Sequence, residues 1–135
     1  MACDRASVGV VGDVLRRVVP EARLQRIPRN PMHRDIVLAV LCLDMDRRYP
    51  YTEREMNDYL IGALDRFNAQ VDHVTCRRYL ADLDFVKRDL AGSRYYVNFP
   101  KVESVLSDEA MARADRLISA ALAARKRRPK PGKAW

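Results

Sequence analysis

A short helical segment that leads directly into a β-hairpin is the feature that most constrains the fold of this chain. Asp72 is suited to cap the start of the helix. The apolar residues that follow repeat at helical spacing; they are Cys76, Leu80 and Leu83. Two strand-like runs come next, and Gly92 between them can take a positive φ. We therefore predict a helix over about 72–83 and a hairpin over about 85–97.

The segments before this unit predict two further helices. Asn30-Pro31 combines a capping side chain with a proline at the first helical position, and the helix that follows is expected to end at Tyr49-Pro50. Thr52 and Glu55 form a capping-box pattern for the next helix, which is predicted to run to about Asn68. Helix, helix, short turn, helix and hairpin is the order of a winged helix-turn-helix domain. The predicted fold is therefore α+β and mostly helical, with a hairpin wing and flanking helices.

The two ends of the chain carry the flanking helices. Apolar residues at helical spacing predict a short helix over about 8–19 that Pro20 ends. A second amphipathic pattern predicts a helix over about 104–124, which either folds back on the core or pairs with a second copy as a homodimer. We divide the chain into four parts. They are an N-terminal arm with a short helix (residues 1–29), a winged-helix domain (30–98), a C-terminal amphipathic helix (99–124) and a basic disordered tail (125–135).

The net charge of +7 is unevenly distributed over the 135 residues. Residues 31–98 contain ten basic and eleven acidic side chains, so the predicted winged-helix domain is nearly neutral and binding of nucleic acid needs a local patch. Residues 125–135 contain six basic side chains and no acidic one. We expect this tail to add non-specific affinity for polyanions through Arg125, Lys126, Arg127 and Arg128.

Five arginines are scattered through the N-terminal arm; they are Arg16, Arg17, Arg23, Arg26 and Arg29. Long charged side chains in such a segment usually form a solvated face. The alternative is an arm that helps to hold nucleic acid.

Cysteine usage and the absence of known motifs exclude several classes of protein. Cys3, Cys42 and Cys76 are odd in number and far apart, which argues against a disulfide framework or a zinc site and suits a reducing cytoplasm. Cys42 and Cys76 lie on apolar faces, so core packing is favoured over a redox sensor. No signal pattern, membrane span, cofactor motif or catalytic motif is present, and His33 and His73 have no surrounding ligand set. We expect a cytoplasmic protein without enzymatic activity, cofactor or metal.

Six side chains of the helix–hairpin unit are candidates for DNA contact; they are Thr75, Arg77, Arg78, Lys87, Arg88 and Arg94. An arginine on a recognition helix can bind guanine or a phosphate, and basic residues on a wing can bind phosphates. Strand alternation allows only one of Lys87 and Arg88 to point outward with Arg94. The structural alternatives are a pair between Arg78 and Asp82, and contacts from Arg77 to the next helix through Glu53, Glu55 or Asp58.

Several of these motifs together resemble the bacterial DUF2087 family over about residues 27–97. The matching segments are Tyr51 to Asn57, Arg77 to Asp82, Phe85 to Asp89, Gly92 and Tyr95-Tyr96. The resemblance implies a winged-helix-like bacterial regulator. Three positions depart from the family pattern: Met56 replaces valine, Cys76 replaces leucine, and Leu83-Asp84 replaces an aromatic–glycine pair at the helix end.

These observations predict a transcriptional regulator that binds double-stranded DNA. The helix at about 72–83 would enter the major groove, and the hairpin at about 85–97 would contact the backbone. A winged-helix module that binds a protein partner without reading DNA is the alternative. A third possibility is RNA or ribosome association through the tail alone.

Overall fold

The computed structural model describes residues 5–127, except for the side chains of Glu21 and residues 124–127. The helices are α1 (Val8–Val18), α2 (Pro31–Cys42), α3 (Glu53–Asp65), α4 (His73–Asp82), α5 (Phe99–Val105), α6 (Asp108–Ala112) and α7 (Ala114–Arg127). The strands are β1 (Tyr51–Thr52), β2 (Val86–Arg88) and β3 (Arg94–Val97), and a 3₁₀ turn covers Pro20–Ala22. The predicted α+β class is confirmed, as are the first short helix, α4 and the β2–β3 hairpin.

The central helix α2 begins as predicted but ends earlier. The Asn30 side chain accepts hydrogen bonds from the backbone N–H groups of Met32 and His33 at 2.9 and 3.1 Å. Every residue from Ile36 to Cys42 is buried, because neighbouring elements cover the apolar helix on all sides. The predicted end at Tyr49-Pro50 is wrong, because the chain turns after Cys42 and buries Met45 in the core.

The three strands form an antiparallel sheet in the order β1-β3-β2. In the hairpin, Val86 pairs with Val97 and Arg88 with Tyr95. Strand β1, in which Tyr51 pairs with Tyr95, was not predicted from the sequence. Strand β1 directly precedes α3, whose first turn carries the predicted capping box of Thr52 and Glu55. From α2 to β3 the chain therefore runs helix, strand, helix, helix, strand, strand.

The turn from α4 into β2 uses a left-handed residue where the family pattern has glycine. Asp84 has a φ of 67°, in the region that favours glycine and tolerates aspartate better than most residues. The Asn98 side-chain amide donates to the Asp84 carbonyl at 2.8 Å, and the Asn98 N–H donates to the Phe85 carbonyl at 2.8 Å. These bonds attach the turn to the chain that leaves β3.

The C-terminal segment forms three helices, so the single helix predicted over 104–124 is wrong. Leu106 has extended backbone angles and forms a bridge with Ala6, which separates α5 from α6. Ser107 then caps α6 by accepting from the Ala110 N–H at 3.1 Å. Arg113, at φ −107° and ψ 9°, ends α6 before α7 begins. The apolar stripe is therefore shared among shorter helices.

Helix α7 folds back on the chain and packs against α1 and the 3₁₀ turn. Gly12 on α1 is buried next to the Leu117 side chain of α7, and Ile118 and Ala121 are also buried. The structure thus has the fold-back arrangement, the first of the two alternatives for this segment. One apolar cluster extends from α1 through α2 to α7. Among the described helices, none has the length and apolar character needed to cross a membrane.

Candidate nucleic-acid interface

Helix α4 is fixed by its cap and by its buried side. The Asp72 carboxylate accepts from the Thr75 N–H at 2.7 Å, and mainly this bond holds the pKa of the carboxyl below its usual value. Cys76 and Leu80 are completely buried against the core. Thr75 and Arg78 are exposed on the opposite side of the helix, so α4 presents a rigid outward surface.

Arg77 is directed toward α3 and has a structural role. Its guanidinium donates to the Asn57 side-chain oxygen and lies 4.0 Å from the Glu53 carboxylate. Only 19% of the Arg77 side chain is exposed. Of the partners predicted for the structural alternative, Glu53 is found, and Asn57 was not foreseen. Arg77 is therefore not presented to solvent as a freely available DNA ligand.

Arg78, the neighbouring residue, is exposed. Within residues 5–127, no hydrogen bond or salt bridge engages its guanidinium, and the pair with Asp82 predicted as an alternative does not form. Arg78 borders a concavity of about 240 Å³ between α4 and the hairpin. Arg77, Arg88 and Tyr95 also line it, together with the carboxylate of Asp82.

The basic residues of the hairpin point to two different sides. Arg88 lies on the same side as buried Tyr95, with its guanidinium 5.2 Å from the ring centre, and donates to the Gly92 carbonyl at 2.8 Å. Lys87 and Arg94 are exposed on the other side, because neighbours along a strand alternate. Lys87, rather than Arg88, is therefore the residue that accompanies Arg94.

The hairpin turn is organised by Asp89 and Gly92. The Asp89 carboxylate accepts from the Ser93 N–H at 2.8 Å, and this bond is the main reason why its pKa is lowered. Gly92 takes the predicted positive φ, 72°. Leu90 at the tip is fully exposed. The turn thus has a defined backbone and an apolar tip.

The two cysteines among the described residues occupy the core, as the sequence predicted. Cys42 and Cys76 are both completely buried. Burial raises the pKa of Cys76 to about 12 and raises that of Cys42 as well, so both remain protonated at neutral pH. A redox sensor needs an accessible thiolate, which this environment does not provide.

Four candidate residues of the basic tail cannot be placed in the interface. The side chains of Arg125, Lys126 and Arg127, and the whole of Arg128, lie outside the described residues.

Two apolar side chains of α4 that were not among the predicted candidates are exposed. Val74 is 44% exposed and Tyr79 is 37% exposed. Their exposure could have been predicted from their positions relative to Cys76. Val74 lies about half a turn away from Cys76, and Tyr79 lies at the edge of the buried side of the helix.

Comparison with known proteins identifies the family. A family model described as an uncharacterized protein conserved in bacteria, DUF2087, matches residues 23–97, which is more than half of the chain. The chain belongs to the DUF2087 family. The match covers α2 to β3, so the DUF2087 region contains both the helix–hairpin unit and its central core helix. Neither the curated proteins nor the solved structures searched include a match.

Proposed function

We propose that this DUF2087 protein is a transcriptional regulator that binds duplex DNA through a winged helix-turn-helix unit. The order of elements from α2 to β3 and the β1-β3-β2 sheet support this assignment, because the same order characterises winged-helix domains. In this arrangement α4 enters the major groove and the β2–β3 hairpin contacts the backbone. The proposed role is binding and not catalysis.

The main observation in favour of the proposal is that the Arg78 guanidinium is free to bind DNA. This guanidinium is exposed on the outward side of α4 and makes no hydrogen bond or salt bridge with the described residues, whereas Arg77 next to it is bound to α3. Arginine can donate two parallel hydrogen bonds to guanine or to a phosphate. Thr75, one turn earlier and also exposed, can donate to a phosphate from the same surface.

Nearby carboxylates limit the electrostatic attraction of this surface. Asp72, Asp82 and Asp84 are exposed on α4 or at its ends, and they offset Arg78, Lys87 and Arg88. We therefore expect the domain to gain little non-specific affinity from its net charge, and to depend on a few directed contacts.

A partner protein is the second candidate, and the exposed apolar residues of α4 favour it. Val74 lies on the outward side of the helix with 44% exposure, and Tyr79 lies at the edge of the buried side with 37% exposure. Aromatic side chains such as tyrosine are enriched at the centres of protein interfaces. In that case the same helix would lie in a groove of the partner, and DNA selection would not occur.

The first test is selection from a pool of random duplexes by the full chain, followed by sequencing of the bound fraction. We expect an enriched sequence and a loss of about 5- to 150-fold in affinity for it on Arg78→Ala, the cost of one base or phosphate contact of about 1–3 kcal/mol. Arg116→Ala is the matched control, because Arg116 is also exposed but lies on α7. An absence of enrichment, or equal effects of the two variants, contradicts the proposal.

A further inference from the structure

A second basic concavity lies between the end of α1 and the start of α2. Its volume is about 370 Å³. We call it the arginine pocket and define it by Arg17, Arg26, Arg29 and His33, which line it together with apolar and uncharged residues. Among the lining residues whose side chains are described, none is acidic. Three arginines thus border one recess, in a segment far from α4 in the sequence.

The arginines of the pocket are not neutralised by the described residues around them. Arg17, Arg26 and Arg29 make no hydrogen bond or ion pair within that part of the chain. The nearby carboxylates are engaged elsewhere, since Asp13 pairs with Arg16 and Asp35 pairs with Arg34. Glu21, whose side chain is not described, is the remaining acidic residue of this segment.

The first turn of α2 offers no free backbone donor to an anion in the pocket. The Asn30 side chain accepts from the N–H groups of Met32 and His33, and the Asn30 carbonyl accepts from the Arg34 N–H. Pro31 has no N–H. Because the backbone donors of the first turn are occupied, the guanidinium groups supply the free donors, five N–H each.

The segment that carries two of these arginines is firmly attached to the core. The Leu24 N–H donates to the Phe67 carbonyl at 3.1 Å, and the Gln70 N–H donates to the Leu24 carbonyl at 2.8 Å. Leu24 and Ile27 are buried on either side of Arg26. The backbone of the pocket is therefore fixed before a ligand arrives, and it is joined to the turn that precedes α4.

We propose that the arginine pocket is a binding site for phosphate groups. Guanidinium matches the geometry of phosphate oxygens and forms paired charge-assisted hydrogen bonds with them. The phosphate can belong to a duplex backbone that passes the turn before α4, or to a free phosphorylated molecule. The chemistry of recognition is the same for both sources.

The test compares two triple variants of the full chain. Arg17→Gln/Arg26→Gln/Arg29→Gln removes the three cations of the pocket. Arg23→Gln/Arg48→Gln/Arg116→Gln is the matched control, because it removes the same charge from exposed positions that do not line the pocket. Glu21 is retained in both, and thermal unfolding verifies that both are folded. The two probes are inorganic pyrophosphate, titrated by calorimetry, and a random-sequence duplex, titrated over a series of salt concentrations.

Each source of phosphate gives a different result. If the duplex backbone is the ligand, the pocket variant lowers the slope of log affinity against log salt by about 2–3 more than the control does. If a free phosphorylated molecule is the ligand, pyrophosphate binds the wild type and the control, and the pocket variant binds it about tenfold or more weakly. Equal behaviour of the two variants with both probes overturns the proposal.

Sequence selection distinguishes this site from the α4 surface. The Arg78→Ala variant tests selection, whereas the pocket variant tests phosphate binding in a random duplex or in pyrophosphate. Loss of phosphate binding without any selected sequence would contradict the proposed regulator and support the pocket. The reverse result would contradict the pocket alone.

Discussion

Arg77 and Arg78 are adjacent in the sequence, but the structure gives them opposite environments. Arg77 lies along α3, where the Asn57 side-chain oxygen accepts a hydrogen bond from its guanidinium and the Glu53 carboxylate lies 4.0 Å away. Arg78 is one residue further around α4 and is exposed. The helical rotation of about 100° per residue therefore separates a structural arginine from an available one. These two arginines of the chain therefore cannot be assigned the same role.

We predict that Arg77→Ala lowers the free energy of unfolding by about 1 kcal/mol, because it removes a largely buried hydrogen bond between α3 and α4. Arg78→Ala is the control and should stay within about 0.5 kcal/mol of the wild type, as exposed substitutions usually do. Urea unfolding measures both. Equal stabilities for the two variants would show that the Arg77 contact contributes nothing.

At the scale of single elements, the turn that follows α4 has the clearest conformational requirement. Asp84 has a left-handed φ of 67°, which an L-residue adopts only at a cost. Asp82, two residues earlier, is the last residue of the helix. The two aspartates are both exposed, but glycine should affect them in opposite directions.

We predict that Asp84→Gly raises the free energy of unfolding by about 0.5–1 kcal/mol, because glycine adopts a positive φ without strain. Asp82→Gly should lower it slightly, by about 0.3 kcal/mol, because glycine disfavours helix somewhat more than aspartate does. Thermal or urea unfolding gives the sign of each change. A destabilised Asp84→Gly protein would indicate that contacts of the aspartate side chain outweigh the backbone strain.

Local patterns in the sequence predicted the elements that depend on local interactions. The caps at Asn30, Thr52 and Asp72 correctly located the starts of α2, α3 and α4, because a cap and its helix are neighbours in the chain. Strand β1 was missed, because two residues carry no periodicity and its partner β3 lies beyond two helices. The break at Leu106 was missed because its partner Ala6 is near the other end of the chain.

The sequence placed the candidate residues on α4 and on the hairpin, but it did not give the side of the hairpin on which each basic residue lies. Alternation along the strands correctly indicated that Lys87 and Arg88 point to different sides. The register of β2 against β3 then decided that Arg88 joins Tyr95 near α4. The arginine pocket needs the approach of α1 to α2, a tertiary contact that spacing in the sequence cannot supply.

At the scale of the whole molecule, the family region is completed by helices that lie outside it. The family match ends at residue 97, whereas α7 lies beyond it and α1 precedes its start at residue 23. Helices α1 and α7 pack together and belong to the same apolar cluster as α2. The stability of the family region should therefore depend on residues that the family pattern does not contain.

We predict that Ile118→Ala lowers the free energy of unfolding of the full chain by about 2–5 kcal/mol, because Ile118 is buried and its loss leaves a cavity. Ser119→Ala, at the exposed neighbouring position, should change it by less than about 0.5 kcal/mol. A single cooperative transition, followed by circular dichroism in urea, is expected for both. An Ile118→Ala protein as stable as the control would mean that α7 is not part of the folded core.

The packing of α1 on α7 has a consequence for the protein while it is being made. The bond from the Arg5 side chain to the Leu106 carbonyl spans 101 residues, and α7 emerges from the ribosome later still. At bacterial elongation rates, roughly 5–20 s pass between the synthesis of α1 and that of α7, and the apolar side chains of α1 are exposed to water during this time. We expect the nascent chain to need a chaperone, or a transient internal contact, during that interval. Among the described helices, the one that is synthesised last then packs against the one that is synthesised first.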